Sequence, residues 1–172
     1  MKLLGLILMS SLLLVSCKDE PKKQDFDWDM DKSIQRNKHL TNYESARIKA
    51  YFDRLNQTYE VTASGVFYSL GEPGVGDSIE PGDLVEMEYT VTLLDGTYCY
   101  SSDSTGNHLF IVDKDHTESG VHQGVKLLKN GGTATFVLPS HLAHGLLGDD
   151  DKIPGNAEII TKVHVVNVTK KD

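Results

Sequence analysis

Four histidines, one isolated cysteine and a run of three aspartates are the residues of this 172-residue chain whose types invite a chemical reading. His141 and His144 stand three apart, a separation that zinc ligands use, and His116 and His122 precede them. That spacing alone is a weak signal, no cysteine pairs with them, and two of the four sit in polar loops. They read as solvated or hydrogen-bonded side chains, with no metal. Asp149, Asp150 and Asp151 lack the spacing of a calcium loop and read as a solvated loop tip. Cys99 is one of two cysteines, too few for a disulfide framework. It is either a reactive thiol or a small buried apolar side chain, and the second is the commoner fate of a cysteine among strand-forming neighbours. Nothing in these sets calls for a cofactor.

The stretch that must position such residues is 120–145, GVHQGVKLLKNGGTATFVLPSHLAHG. Val121, Val125 and Leu128 recur at i, i+4 and i+7 and so share one face of a helix, with Leu127 widening the stripe. Gly131 and Gly132 supply the positive-φ freedom that ends a helix and reverses the backbone. Over 133–138, Ala134, Phe136 and Leu138 alternate with Thr133, Thr135 and Val137, giving a strand with one apolar and one mixed face that Pro139 stops.

Upstream, Val85, Met87, Tyr89, Val91 and Leu93 alternate with Glu86, Glu88, Thr90 and Thr92, the pattern of a half-buried antiparallel strand. Asp95-Gly96 turns that strand into a hairpin returning over 97–100. Residues 101–108 read as loop, 109–112 as a short strand, and 62–70 as the strand that opens the domain ahead of the turn-rich GEPGVGDSIEPGD. The loop SHLAHGLLGDDDKIPGNA is too long for a plain connection and reads as a binding element. Ile159, Thr161, Val163 and Val165 then share one face of a long closing strand. The fold class is α+β, a curled antiparallel sheet of five to six strands wrapped around one short helix.

Ahead of the domain, Thr41-Asn42-Tyr43-Glu44 matches a capping box, and Ile48, Tyr51, Phe52 and Leu55 line one helix face, so an amphipathic helix is predicted over 41–57; it either docks on the domain of 58–172, the favoured reading, or forms a dimerisation stalk. Residues 17–40 are charged and poor in aliphatics, a tether in which Phe26 and Trp28 could dock locally. Residues 1–16 carry one lysine and then an apolar run too short to span a bilayer, as in a signal peptide. The end of that run, Leu14-Val15-Ser16-Cys17, resembles the lipobox of bacterial lipoproteins. That resemblance implies acylation of Cys17, membrane attachment through the lipid, and an extracytoplasmic location facing the periplasm or the cell surface. A net charge of −8 and a pI near 5.3 leave no basic patch for phosphates, so nucleic acid is an unsuitable partner. Oligomeric state is not legible.

The order of a tyrosine in a strand, an Asp-Gly turn, Ser-Ser, a Gly-x-x-x-Gly helix, Pro, an Ala-x-Gly loop, Ile-Pro and a final hydrophobic strand resembles the FKBP-type peptidyl-prolyl isomerases over about residues 60–169. TASGVFYSL is similar to the entry of secreted members with an N-terminal helical extension, and with the lipobox and GDDDKI loop the chain resembles the isomerase lipoproteins associated with gliding motility. The resemblance implies isomerisation of Xaa–Pro bonds in proline-containing polypeptides of the cell envelope, without side-chain nucleophile or cofactor. The family lines its pocket with aromatics, an aspartate, a helix-start tryptophan as floor, a loop tyrosine hydroxyl and an isoleucine backbone N–H. Tyr89, Phe110 and Ile153 carry over. The other pocket positions depart: Cys99 stands for a phenylalanine, Tyr100 for the aspartate, Val121 for the tryptophan, His144 for the loop tyrosine and Thr161 for a last-strand phenylalanine. His144 could replace the tyrosine as a donor. Losing about 100 Å² of aromatic floor forfeits on the order of 2 kcal/mol of substrate contact. The departures therefore predict weak catalysis, or a module of this fold that holds partner peptides without turning them over.

Overall fold

The computed structural model describes residues 29–171. The leader, Cys17, Phe26 and Trp28 lie outside the described residues. The chain runs through α1 (Met30–Arg54), β1 (Glu60–Val61), β2 (Phe67–Leu70), β3 (Leu84–Leu93), β4 (Tyr98–Ser101), α2 (Ser102–Thr105), β5 (His108–Ile111), α3 (Ser119–Val125), β6 (Thr133–Leu138) and β7 (Ile159–Thr169), with a 3-10 turn at Ser140–Leu142. The seven strands form one antiparallel sheet in the order β1-β2-β6-β7-β3-β4, and β5 pairs with the same edge of β3 further along. One strand lies beyond the upper expectation of six: β1, which precedes the predicted 62–70. Residues 62–66 are a turn, in which the Gly65 N–H donates to the Thr62 carbonyl, and β1 and β2 pair antiparallel on either side of it.

α3 lies in the concave face, where Val121, Val125 and Leu128 are buried among Phe136, Leu138, Val163 and Val165. The helical stretch is shorter than its apolar stripe: it ends at Val125, and Leu127 faces solvent at 38% exposure. Two glycines set how closely α3 approaches β6. A Cβ on Gly124 would stand 2.7 Å from the Phe136 ring, and one on Gly120 would stand 2.6 Å from Leu138 Cδ2. Gly131 has a φ of +78°, whereas Gly132 is needed for room, since a Cβ there would meet the Lys129 carbonyl at 2.9 Å.

The convex face carries a second core. Ile48 and Phe52 of α1 pack against Phe67, Val137 and Ile160, with Tyr59 stacked on Phe52 at 4.7 Å. Val137, assigned to a mixed face from alternation, is thus buried by α1. The helix begins eleven residues before the predicted start at 41, because the Asp29 carboxylate accepts from the N–H groups of Asp31 and Lys32 and no glycine or proline interrupts the segment from there to Arg54. Residues 30–40 are therefore helix rather than tether, and Thr41-Asn42-Tyr43-Glu44 lies mid-helix. Glu44 caps nothing: it is 1% exposed and accepts from the Ser140 hydroxyl at 2.5 Å and the Ser140 N–H at 3.3 Å. One turn on, Arg47 reaches the buried Glu158 carboxylate at 3.1 Å. Burial raises the Glu158 carboxyl above its ordinary value, with Arg47 opposing. No helix among the described residues is long and apolar enough to cross a membrane.

Replacing Glu44 by alanine strands the Ser140 hydroxyl and N–H in a buried site. The expected outcome is a loss of about 1–3 kcal/mol in urea unfolding, whereas Glu44→Gln, which keeps one acceptor, loses less.

Candidate functional site

Tyr89 owes its position to a break in the sheet. On one edge of β3, β4 pairs with residues 90–92 and β5 with residues 84–87, so Glu88 and Tyr89 face no strand there. The Ser102 hydroxyl at the start of α2 fills the vacancy by accepting from the Tyr89 N–H at 3.1 Å. The Tyr89 hydroxyl is paired with Thr105 Oγ1 at 2.7 Å, which fixes the ring over the cleft beside the α3 N-terminus.

That cleft is a pocket of about 160 Å³ lined by Met87, Tyr89, Val91, Tyr100, His108, Glu118, Val121, His144, Ile153 and Thr161. Its floor is Val121 from α3 beside Thr161 from β7, and Met87 and Val91 of β3 form an apolar wall. Ile153 closes the opposite side from the loop before β7. Its N–H donates to Asp149 Oδ1 at 2.8 Å and so does not point into the pocket.

The rim is polar. The Tyr100 hydroxyl donates to Asp149 Oδ2 at 2.5 Å, with Asp151 Oδ2 at 3.1 Å, and this hydrogen bond raises the phenol above its ordinary range. Burial pushes the Asp149 carboxyl up, but the Tyr100 hydroxyl and the N–H groups of Ile153 and Asp151 outweigh it and hold the group at about 2. Lys152 lies over the Tyr100 ring at 4.8 Å and donates to the Cys99 carbonyl at 2.9 Å, strapping the loop onto β4. Across the mouth, His144 Nε2 stands 3.0 Å from Glu118 Oε1. Burial lowers the His108 imidazole below its ordinary value, Glu118 pulling the other way, and its Nε2 pairs with Thr117 Oγ1 at 2.9 Å.

Of the residues expected here, Tyr89, Tyr100, Val121, His144, Ile153 and Thr161 converge on this pocket. Phe110 and Cys99 do not line it. Both face inward from their strands but lie beneath the surface layer, 1% and 0% exposed. The aromatic ring that β5 offers to the pocket is His108, stacked 4.9 Å above Phe110. It was legible as the i−2 partner of Phe110 on one strand face, but placing the strand start at 109 left it in a loop. Glu118 was also missed; it lies three residues before Val121, where α3 begins, and so faces the same cleft. Burial raises the Cys99 thiol, Asp149 adding to the effect. His122 is buried, accepts from the Asp113 N–H at 3.0 Å and stands 3.0 Å from the Asp115 carbonyl, so it pins a loop. His116 and His141 are exposed.

Residues 76–166 match the family model described as FKBP-type peptidyl-prolyl cis-trans isomerase. The chain belongs to this family. The FKBP domain is 38% identical over 109 residues, 63% of this chain, to the probable FKBP-type peptidyl-prolyl cis-trans isomerase FkpA of Neisseria meningitidis serogroup B. It is 30% identical over 110 residues to the outer membrane protein MIP of Legionella longbeachae, covering 64% of this chain and 47% of that protein. The crystal structure of FkpA from Escherichia coli superposes with a TM-score of 0.65 at 25% identity, over 80% of this chain and 64% of that one. The FKBP chain spans only part of the curated relatives it matches, 40% of the Neisseria protein and 52% of a Haemophilus influenzae relative.

The Asp149 pair gives the FKBP domain a pH signature. A carboxyl that titrates at about 2 when folded and at about 3.9 when unfolded contributes stability that is complete above the unfolded value and lost as pH falls through the folded one. Tyr100→Phe removes the largest lowering contribution. It is expected to lower the urea midpoint at pH 7 and to do so progressively less as the pH is brought down toward 2.

Proposed function

We propose that this protein catalyses cis–trans isomerisation of Xaa–Pro bonds in polypeptides of the cell envelope or in secreted proteins. The observation that carries the reading is the single cleft in which the Tyr89 ring, the Val121 floor and the Ile153 side chain face one another. Rotation about an Xaa–Pro bond meets a barrier of roughly 18–20 kcal/mol because the amide is conjugated. No bond to a side chain need form. An apolar cleft that strips water from the carbonyl and grips the ring weakens conjugation and favours the twisted amide over the planar one. Met87, Val91, Val121 and Ile153 supply that water exclusion, and Tyr89, its hydroxyl anchored on Thr105, is a rigid wall for the ring.

The anchoring part of the proposal comes from residues ahead of the domain: Cys17 at the end of a lipobox-like run carries the acyl chains and holds the isomerase on the extracytoplasmic side of a bacterial membrane. The likeness to a relative called an outer membrane protein is in keeping with that placement. Service to a gliding machine is the narrowest form of the proposal and rests on the resemblance of the leader and the GDDDKI loop alone.

A second reading has its own support. Val121 offers far less surface than an aromatic floor, and the Tyr100 hydroxyl at the usual carboxylate position is committed to Asp149. A cleft so altered suits a module that binds proline-containing segments as a chaperone or adaptor with little turnover.

Refolding of a proline-limited protein separates the two. With the full chain present, the slow phase is expected to accelerate, and Tyr89→Ala, shown by circular dichroism to be folded, is expected to abolish the acceleration. Equal slowing by wild type and variant would overturn the enzymatic reading in favour of the binding module.

A further inference from the structure

The face that docks α1 on the sheet does not stop where the domain does. Ile48 and Phe52 are fully buried against the convex face. Met30 and Ile34 precede them by eighteen residues each, about five whole turns, and so lie on the same side of the helix, yet they are 63% and 56% exposed. Between these two halves the face borders a groove of about 330 Å³, walled by Asn37, Leu40 and Thr41 on the helix and by Ser140, His141 and Leu146 on the loop after β6. The loop holds Leu146 outward on a braced backbone. The Gly145 N–H donates to the Ser140 carbonyl at 2.8 Å, the Gly145 carbonyl accepts from the Asn156 N–H at 2.9 Å, and Gly155 packs on the Leu146 carbonyl with no room for a Cβ. Leu146 is 70% exposed all the same. Single apolar side chains on a surface are ordinary, but these border and continue one groove.

We propose that this groove, with the free helix face beyond it, holds the segment of a client polypeptide that flanks the proline seated in the Tyr89 cleft. This rests on the reading of that cleft as a peptide site, which both functions above share. The two sites are contiguous. His144 walls the cleft and Leu146, two residues on, walls the groove, so their Cα atoms stand within about 7 Å, a gap that an extended chain crosses in two or three residues. The lining suits a polypeptide better than a lipid tail: Asn37, Thr41 and His141 bring hydrogen-bonding groups in among Leu40 and Leu146, and an extended chain carries backbone N–H and C=O groups beside its side chains. The one carboxylate that borders the groove, Glu44, is committed to Ser140, so the groove selects apolar side chains rather than charged ones. A second copy fits poorly. Asn37 and Thr41 interrupt the face after Met30 and Ile34, which leaves far less apolar surface than the roughly 800 Å² that each partner of a stable dimer buries.

NMR titration of the full chain with three probes tests this: a blocked Ala-Leu-Pro-Phe tetrapeptide, and the same peptide extended by eight alternating leucine and serine residues at its N-terminus or at its C-terminus. Eight extended residues reach up to about 28 Å, enough to pass the loop and run along the helix. The wild type is expected to bind one of the extended peptides about tenfold more tightly than the tetrapeptide. Leu146→Ser combined with Ile34→Ser alters two exposed side chains and is expected to leave the melting temperature within about 2 °C of wild type. This double variant is expected to bind that extended peptide within about twofold of the tetrapeptide, with tetrapeptide binding at wild-type strength. Equal binding of all three peptides by the wild type overturns the proposal and leaves the cleft as a peptide site, and so does an undiminished gain in the double variant. Sedimentation velocity without peptide is expected to show the same species for both forms. A wild-type dimer that the double variant dissociates would make this face an interface between copies and overturn the proposal. Failure of the wild type to bind any of the three peptides overturns it together with the reading of the cleft.

Discussion

The rest of the molecule depends on how closely one short helix approaches one strand. Gly120 and Gly124 let α3 lie against Leu138 and Phe136 at a distance that a single added carbon would violate. A helix seated that deep brings Val121, in its first turn, to the floor of the cleft rather than above its mouth. The same seating lets the sheet curl around the helix, because Val125 and Leu128 fill the concavity that β3, β6 and β7 create. Close packing resists compromise: an extra methyl in a full core forces neighbours off their rotamers at about 1–3 kcal/mol. Pocket depth is thus a consequence of two missing side chains on the helix.

The sheet is used on both faces, and the second face stabilises the first. α1 buries Ile48 and Phe52 against the backs of β2, β6 and β7, the strands that carry Phe136 and Thr161 on the other side. Its polar contacts go to the loop that walls the pocket. Glu44 holds Ser140, four residues before His144, and Arg47 holds Glu158, three residues before Thr161. Breaking one member of such a buried set leaves an uncompensated polar group, which costs more than the intact set contributes. The helix therefore acts on the cleft without touching it, by fixing both ends of the segment that runs from Ser140 to Glu158.

What could be read from the sequence was whatever depends on near neighbours. The stripe of Val121, Val125 and Leu128, the alternation in β3 and the inward face of β7 are periodicities, and they place the helix and the central strands. What could not be read depends on distant partners. Val137 is buried because α1 folds back onto it, and alternation alone cannot tell a solvated face from one covered by a remote helix. The early start of α1 was obscured by a capping-box match whose Glu44 serves Ser140, ninety-six residues away. His108 is a different case: alternation puts it on the face of Phe110, and only the strand start, one residue earlier than predicted, hid it.

The departures at the pocket differ in kind from the loss of a catalytic nucleophile. Isomerisation breaks no bond, so each lining group contributes area, shape or a dipole, and these terms subtract gradually. A thousandfold acceleration needs about 4 kcal/mol of differential stabilisation. Shrinking an aromatic floor to Val121 removes on the order of 2 kcal/mol of apolar contact. Only the part of that contact that is stronger with the twisted amide than with the planar one bears on rate; the remainder bears on affinity. A floor that grips the ring equally in both states mainly sets binding, whereas groups facing the rotating carbonyl set turnover.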